Sequence, residues 1–449
     1  QAEVYYGRGQ LAEAREHLTI GLNLLGQPLP ETALQTQAEL MGQTLKQFWH
    51  RIWFSIKPIP DEAGSGTEIN NDDLDLLRAY ELLILIDTLG NKIGPIDYYL
   101  LLKTLNVAES ARRKSPILAR AYAVMALGLA VMPTPLHTQA QDYFRRARAA
   151  LTGLDHLQTQ AYVLWREGQY ALNNGKWEDG EKAYQQALEI NERLGDHRNW
   201  AFTLINLGSI AHIRGQFELS IQRCAGVYKN GLSRNHVEHQ AWGLSGQAVS
   251  LFQLGKTNQA VKLLEKALTL HDLIADSGTA EQSTYGTLAG IYLQKGEFEK
   301  ARNAAAKTAR LLKQASVRIA PSFNSYGFVA YVYLALWEKS GTQHEKSEMK
   351  SLARQACREL NQFAWTYPIA KSRSLLWQGL YDWLNGNPRN AQKNWQMSLA
   401  AAKELSMPYD EALTYREIGR HATGMERETN LALANEIFER LGVVLDADK

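Results

Sequence analysis

Glycine recurs along this chain at a fixed step. Gly175, Gly215, Gly255 and Gly296 lie 40, 40 and 41 residues apart, and a period of that length marks a chain built from stacked supersecondary units. Other positions keep the step. Gly168, Gly208, Ala248 and Ala289 come seven residues before each turn; Gly180, Ser220, Ala260 and Ala301 come five after it; Ala187, Val227, Ala267 and Thr308 come twelve after it. This is the pattern of two helices packed antiparallel across a short turn. Small residues let the backbones approach, a larger residue one turn later fills the space beside them, and the glycine ends the first helix in left-handed backbone. Trp177, Phe217 and Phe298 are expected to pack at the start of each second helix.

The register extends both ways. Gly128, Ala140, Phe144 and Ala147 fall 40 residues before Gly168, Gly180, Tyr184 and Ala187, with Pro135 in the glycine slot; Gly379, Gly386, Ala391 and Gly419 restore it downstream, and Gly9 and Ala14 match at the front. Two polar stretches interrupt the array. "KPIPDEAGSGTEINNDDLD" mixes turn formers with acids and reads as a loop, and "KSGTQHEKSEMKS" reads as an insertion between helices. The expected organisation is therefore a truncated first repeat with an aromatic helix, "QFWHRIWFSI", over 1–56; a loop over 57–75; the main array over 76–338; a polar insertion over 339–351; and closing repeats with a cap over 352–449. The opening residues read as the second part of a hairpin, so a larger protein is expected to continue upstream.

The totals exclude several classes. Lys plus Arg is 49 against 47 Asp plus Glu, a net charge of +2, which supports neither a nucleic-acid nor a membrane surface. Short basic runs such as "SARRKS" and "FRRARAA" carry apolar positions at helical spacing and read as solvated faces. Two distant cysteines, Cys224 and Cys357, form neither a disulfide framework nor a metal set, which favours a reducing, cytoplasmic setting. Cys224 takes the slot of Tyr184 and reads as a small core residue. Gly175-Lys176 has no glycine-rich lead and no following hydroxyl, so it is a turn and not a phosphate loop. His236 and His239 have i, i+3 spacing with no third ligand, and read as part of an inter-repeat turn. No catalytic residues, cofactor or metal are expected.

The segment "AYVLWREGQYALNNGKWEDGEKAYQQALEI" resembles the tetratricopeptide repeat, and four repeats from about 161 to 312 follow its pattern. The resemblance implies an all-α fold, a right-handed superhelix of antiparallel helix hairpins (an α-solenoid), here with a period of about 40 residues, so longer second helices or links are expected. The flanks resemble something narrower. "GRGQLAEAREHLTIGLNLLGQPLP", "LLKTLNVAESARRKSPILARAYAVMALGLAVM" and "AAKELSMPYDEALTYREIGRH" look like the C-terminal repeat region of multidomain bacterial signalling proteins. Those carry an AAA-type or STAND-type ATPase core, many with an adenylate or guanylate cyclase or protein-kinase domain.

In the repeat family the first helix of each hairpin lines a concave groove. Carried over by register, that implies a lining of Tyr162, Trp165, Gln169, Leu172 and Asn173; Phe202, Ile205, Ser209 and His212; Trp242, Ser245, Val249, Phe252 and Gln253; and Leu293 and Gln294. The set is aromatic and amide-rich with almost no charge. It suits an apolar helix or peptide with aromatic anchors; the alternative is that neighbouring repeats cover part of the stripe themselves. The expected function is a non-catalytic interaction or sensor region that binds a protein or peptide, or packs on its own upstream ATPase core. A stand-alone scaffold and a domain sensing a small-molecule effector are the alternatives; nucleic acid and membrane are not expected partners.

Overall fold

A computed structural model describes residues 1–7, 10–56, 71–89, 94–132, 136–274, 278–314 and 320–444. Among them the chain is an α-solenoid of antiparallel hairpins, with no strand. It opens with α1 (Ala2–Gly7), α2 (Leu11–Leu24), α3 (Ala33–Ile56), α4 (Asn71–Leu89), α5 (Pro95–Ser110), α6 (Pro116–Ala130) and α7 (His137–Leu151). The phased repeats are α8 (Leu157–Asn173) with α9 (Trp177–Leu194), α10 (His197–Ile213) with α11 (Phe217–Ser233), α12 (Val237–Gln253) with α13 (Thr257–His271), and α14 (Gly278–Gln294) with α15 (Phe298–Gln314). Then come α16 (Phe323–Lys339), α17 (Gln343–Thr366), α18 (Lys371–Leu384), α19 (Pro388–Glu404), α20 (Pro408–His421) and α21 (Gly424–Arg440). Two compact units result, Gln1–Tyr170 with Asp179–Thr203, and Ala171–Glu178 with Leu204–Gln314 and Arg318–Lys449. The expected turn residues Gly9 and Pro135 lie outside the described residues.

The turn glycines behave as their spacing requires. Gly175, Gly215, Gly255, Gly296 and Gly386 all have φ between 70° and 80°. Beyond each glycine the chain closes the helix with a 6→1 bond, for example Lys176 N to Ala171 O at 2.9 Å and Gln216 N to Ala211 O at 2.8 Å, which satisfies a carbonyl the helix end leaves orphaned. The extra repeat length sits in both helices, 17 residues in α8 and 18 in α9, and not in the links.

The small positions receive a side chain from sixteen residues further on. A Cβ on Gly168 would lie 2.7 Å from the Tyr184 ring and one on Gly208 3.0 Å from Cys224 Sγ, and the Trp395 indole packs onto Gly379 in the same way. Tyr184 and Trp395 are fully buried. Glycine is equally required at Gly243 in α12, where a Cβ would stand 2.5 Å from Tyr228 N and 2.7 Å from Cys224 O; α11 and α12 approach backbone to backbone.

Three expectations change. Residues 71–75 belong to α4, and residues 343–351 are the start of α17 and not an inserted loop. The signal was present: Thr342 Oγ1 accepts from Glu345 N at 3.2 Å while Glu345 Oε2 accepts from Thr342 N at 3.1 Å, a reciprocal capping box. Trp177 and Phe217 are buried, but Phe298 is 41% exposed. The reason lies in the second unit, where the C-terminal helices return to the hairpin turns. Trp177 Nε1 donates to Leu405 O. Phe217 shares a core with Ala412, Ala434, Ile437 and Phe438. Leu405, Leu441 and Val444 reach the turns at Gly175, Gly215 and Gly255, while nothing lies within 4 Å of a Cβ at Gly296.

We expect Gly243→Ala to cost about 1–3 kcal/mol, because the rigid backbone opposite cannot yield. Gly42→Ala, on an exposed helical turn with open space around it, should stabilise by about 0.5–1 kcal/mol. Urea denaturation of the two variants checks both signs.

Candidate functional site

The inward positions of the first helices divide between the two units. In the first, Tyr162, Trp165 and Phe202 are buried and Gln169 is half-buried. Arg120 lies 3.9 Å above the Tyr162 ring and is clamped to Glu81 by hydrogen bonds of 2.8 and 2.5 Å. Arg166 donates to Tyr162 Oη at 3.0 Å and stands 4.5 Å over Trp165, whose ring meets Phe202 at 5.8 Å. Burial alone would push the Glu81 carboxyl up, but Arg120, with Tyr162 and Arg166 beside it, holds it below its ordinary value. Burial pushes the Tyr162 phenol up. The three aromatics expected to anchor a partner are thus already stacked beneath arginines, an attraction worth about 0.5–2 kcal/mol per contact.

In the second unit seven of the expected lining residues are buried: Leu172, Asn173, His212, Ser245, Val249, Gln253 and Leu293. Two hydroxyl–histidine networks account for two of them. His212 Nδ1 pairs with Ser250 Oγ at 2.9 Å, which donates to Ser220 Oγ at 3.0 Å. Ser245 Oγ pairs with Thr284 Oγ1 at 2.8 Å, and His271 Nε2 lies 3.0 Å from the same hydroxyl. Neighbouring repeats cover the stripe because their first helices meet at glycines. A Cβ on Gly286 would lie 3.2 Å from Ser325 Cα, and one on Gly290 3.0 Å from the Phe328 ring. What stays open on this face is Ile205, Ser209, Trp242 and Phe252, each half-buried, and Gln294, which is exposed.

Both cysteines are buried. Burial pushes the Cys224 thiol up to about 12 and raises Cys357 as well, which keeps both as thiols. His236 caps α12, its ring accepting from His239 N at 3.4 Å, and the two imidazoles stack at 3.6 Å. Among the described residues no three His, Cys, Asp or Glu are grouped to hold a metal, and no helix is long and apolar enough to cross a membrane. The basic run on α7 is paired: Arg145 and Arg146 with Asp142 at 2.8 Å, and Arg148 with Glu167 at 2.6 Å. A cleft of about 370 Å³ is lined by Arg214, Gln216, Ser406, Met407 and Pro408 together with Lys403 and Glu411; Lys403 there bonds Tyr415 Oη at 2.8 Å. Sequence reasoning missed the buried pair of Arg373 and Asp410, joined by bonds of 2.6 and 2.9 Å. Nothing in the local spacing joins α18 to α20.

A tetratricopeptide-repeat family model matches residues 159–223. Among solved structures, NprR in complex with its cognate peptide NprX is similar at 14% identity and a TM-score of 0.53, covering 82% of this chain and 94% of that one. A Rap protein complexed with Competence and Sporulation Factor is similar at 14% identity and a TM-score of 0.52, covering 87% of this chain and 99% of that one. At these identities the likeness is one of fold.

Burial holds His212 down to about 3, with Arg373 adding to it, and His271 down to about 4. Unfolded, each titrates near 6.5. Below that pH the unfolded chain binds more protons, so stability is full above about pH 6.5 and falls as the pH drops toward the folded values. The thermal midpoint should fall from pH 7 to pH 5.5, and the double variant His212→Gln, His271→Gln should flatten that slope. A slope equal to that of the parent chain would remove these two histidines as its source.

Proposed function

We propose that this chain is a non-catalytic repeat scaffold that binds a short apolar peptide or helix along the inward face of its first helices. The observation that carries this reading is the open row in the second unit. Ile205, Ser209, Trp242 and Phe252 are half-buried on successive first helices, so they present apolar and hydroxyl surface on a backbone already fixed by buried networks. Two aromatics held this way offer area at little further entropic cost, which is what anchors of a binding site need. The tetratricopeptide match over residues 159–223 and the likeness to a structure solved with its cognate peptide support the same reading. Tyr162, Trp165 and Phe202, buried in the first unit, are then not anchors.

Selection from a displayed random-peptide library gives the test. A selected peptide should lose at least about tenfold in affinity on Trp242→Ala or Phe252→Ala, roughly 1.4 kcal/mol, with the array still folded by circular dichroism. Unaltered affinity in both variants would move the site off this face.

The wider resemblance of the flanks supports a place for this scaffold as the regulatory region of a larger bacterial signalling ATPase or cyclase-type protein, where partner binding would bias an inactive-to-active equilibrium. The division into an N-terminal helical part, a main array and closing repeats fits that role. The reading frame upstream of Gln1 should then encode a phosphate-loop ATPase. A frame that opens at this point would leave the scaffold standing alone.

A further inference from the structure

Helix α3 is packed inside out. Its inward stripe is Thr36, Leu40, Gln43, Gln47 and His50, four of the five polar. Asn106 Nδ2 on α5 donates to Gln43 O and Oε1, both at 2.9 Å. Gln47 Nε2 donates to Glu109 Oε2 at 3.2 Å, and His50 Nδ1 lies 3.2 Å from the same oxygen. Arg51 stacks 4.2 Å over Tyr143 and lies 3.6 Å from Asp142. The outward side is apolar. Leu34, Ala38, Met41, Leu45, Phe48 and Ile52 are all exposed, with Trp49 and Trp53 beside them; the large ones range from 40% exposed at Ile52 to 78% at Leu34.

The outward spacing is the informative part. The six positions follow one another at intervals of four, three, four, three and four residues, the repeat that keeps an apolar seam facing a second helix. A helix that only tolerates scattered surface apolar residues has no such order. With aromatics contributing about 150–250 Å² each when fully covered, the stripe presents on the order of 800 Å², what one partner supplies to a standard interface.

We propose that this seam pairs with the same seam of a second copy of the chain. A two-fold interface requires a surface compatible with itself. The seam has no charge on it, and the flanking positions Gln35, Gln37, Gly42 and Thr44 are uncharged too, so identical seams meet without repulsion. The remaining flank, Arg51, is engaged within its own chain. An amphipathic helix that lies on a lipid surface carries a lysine- and arginine-rich polar face; here the polar face is occupied by α5.

Sedimentation velocity over a concentration series tests the pairing. The intact chain should approach twice its monomer mass and dissociate on dilution. Leu45→Glu with Phe48→Glu should leave a folded monomer with the helix content of the parent chain by circular dichroism, since both residues are exposed in the single chain, and with a thermal midpoint that no longer depends on concentration. A Leu45→Cys chain should also give an oxidised cross-linked dimer, as Cys224 and Cys357 are buried; a parallel pair would cross-link at Met41→Cys and Phe48→Cys as well, an antiparallel pair only near its crossing point. A monomer at every concentration, or a dimer that survives the double substitution, would overturn the proposal. So would a monomer that binds phosphatidylglycerol vesicles and loses them on Trp49→Glu, which would make the stripe a lipid contact.

Discussion

The fold depends on one recurring contact, in which the first helix of a hairpin offers a residue with little or no side chain and the second helix fills the notch from sixteen positions later. Gly168 takes Tyr184, Gly208 faces Cys224, and Gly379 takes Trp395; Ala248 and Leu264 occupy the same slots, fully buried. The contact is local, so each hairpin closes over a short loop at small entropic cost. It also fixes the distance between the helices, and hence which faces remain for neighbours to cover. Where the filler is small the next repeat moves in: a Cβ on Gly246 would come within 2.7 Å of Cys224 Sγ and 3.3 Å of Ile205.

That locality explains what could be read in advance. The turns at Gly175, Gly215, Gly255 and Gly296 and the buried slots at Ala187, Val227, Ala267 and Thr308 were legible because each requirement is met within one repeat. The distinction between Trp177, Phe217 and Phe298 was not. All three hold the same place in the period, but only the first two are met by segments some two hundred residues away, Leu405 for Trp177 and the helix bearing Phe438 for Phe217. The partnership of Arg373 with Asp410 is hidden for the same reason. The capping box of Thr342 and Glu345 was the opposite case, a local signal masked by the polar composition around it.

The candidate site was legible as a face and not as a set of anchors. Register placed Tyr162, Trp165, Trp242 and Phe252 on the same inward face, but it carries no information about cover. In the first unit Arg120 and Arg166 lie over the aromatics, and Glu81 holds Arg120 there; in the second, Gly286 and Gly290 draw neighbouring helices together over much of the stripe. Ile205, Ser209, Trp242 and Phe252 keep part of their surface in solvent even so.

Helix α3 applies the same logic with the polarity reversed. A polar inward seam that bonds Asn106 and Glu109 contributes little hydrophobic stabilisation, yet it fixes the register of α3 on α5, because a slip would leave Glu109 buried without its donors, a penalty of about 1–3 kcal/mol for each lost partner. Had the helix instead buried Met41, Leu45, Phe48 and Ile52 against α5, it would have gained roughly 1.5–3 kcal/mol for each large apolar side chain. The structure forgoes that gain on a helix of 24 residues while keeping the apolar residues in heptad order. Orientation by the polar face and association by the apolar face are then separate functions of one helix, and the second is complete only when another helix lies against it.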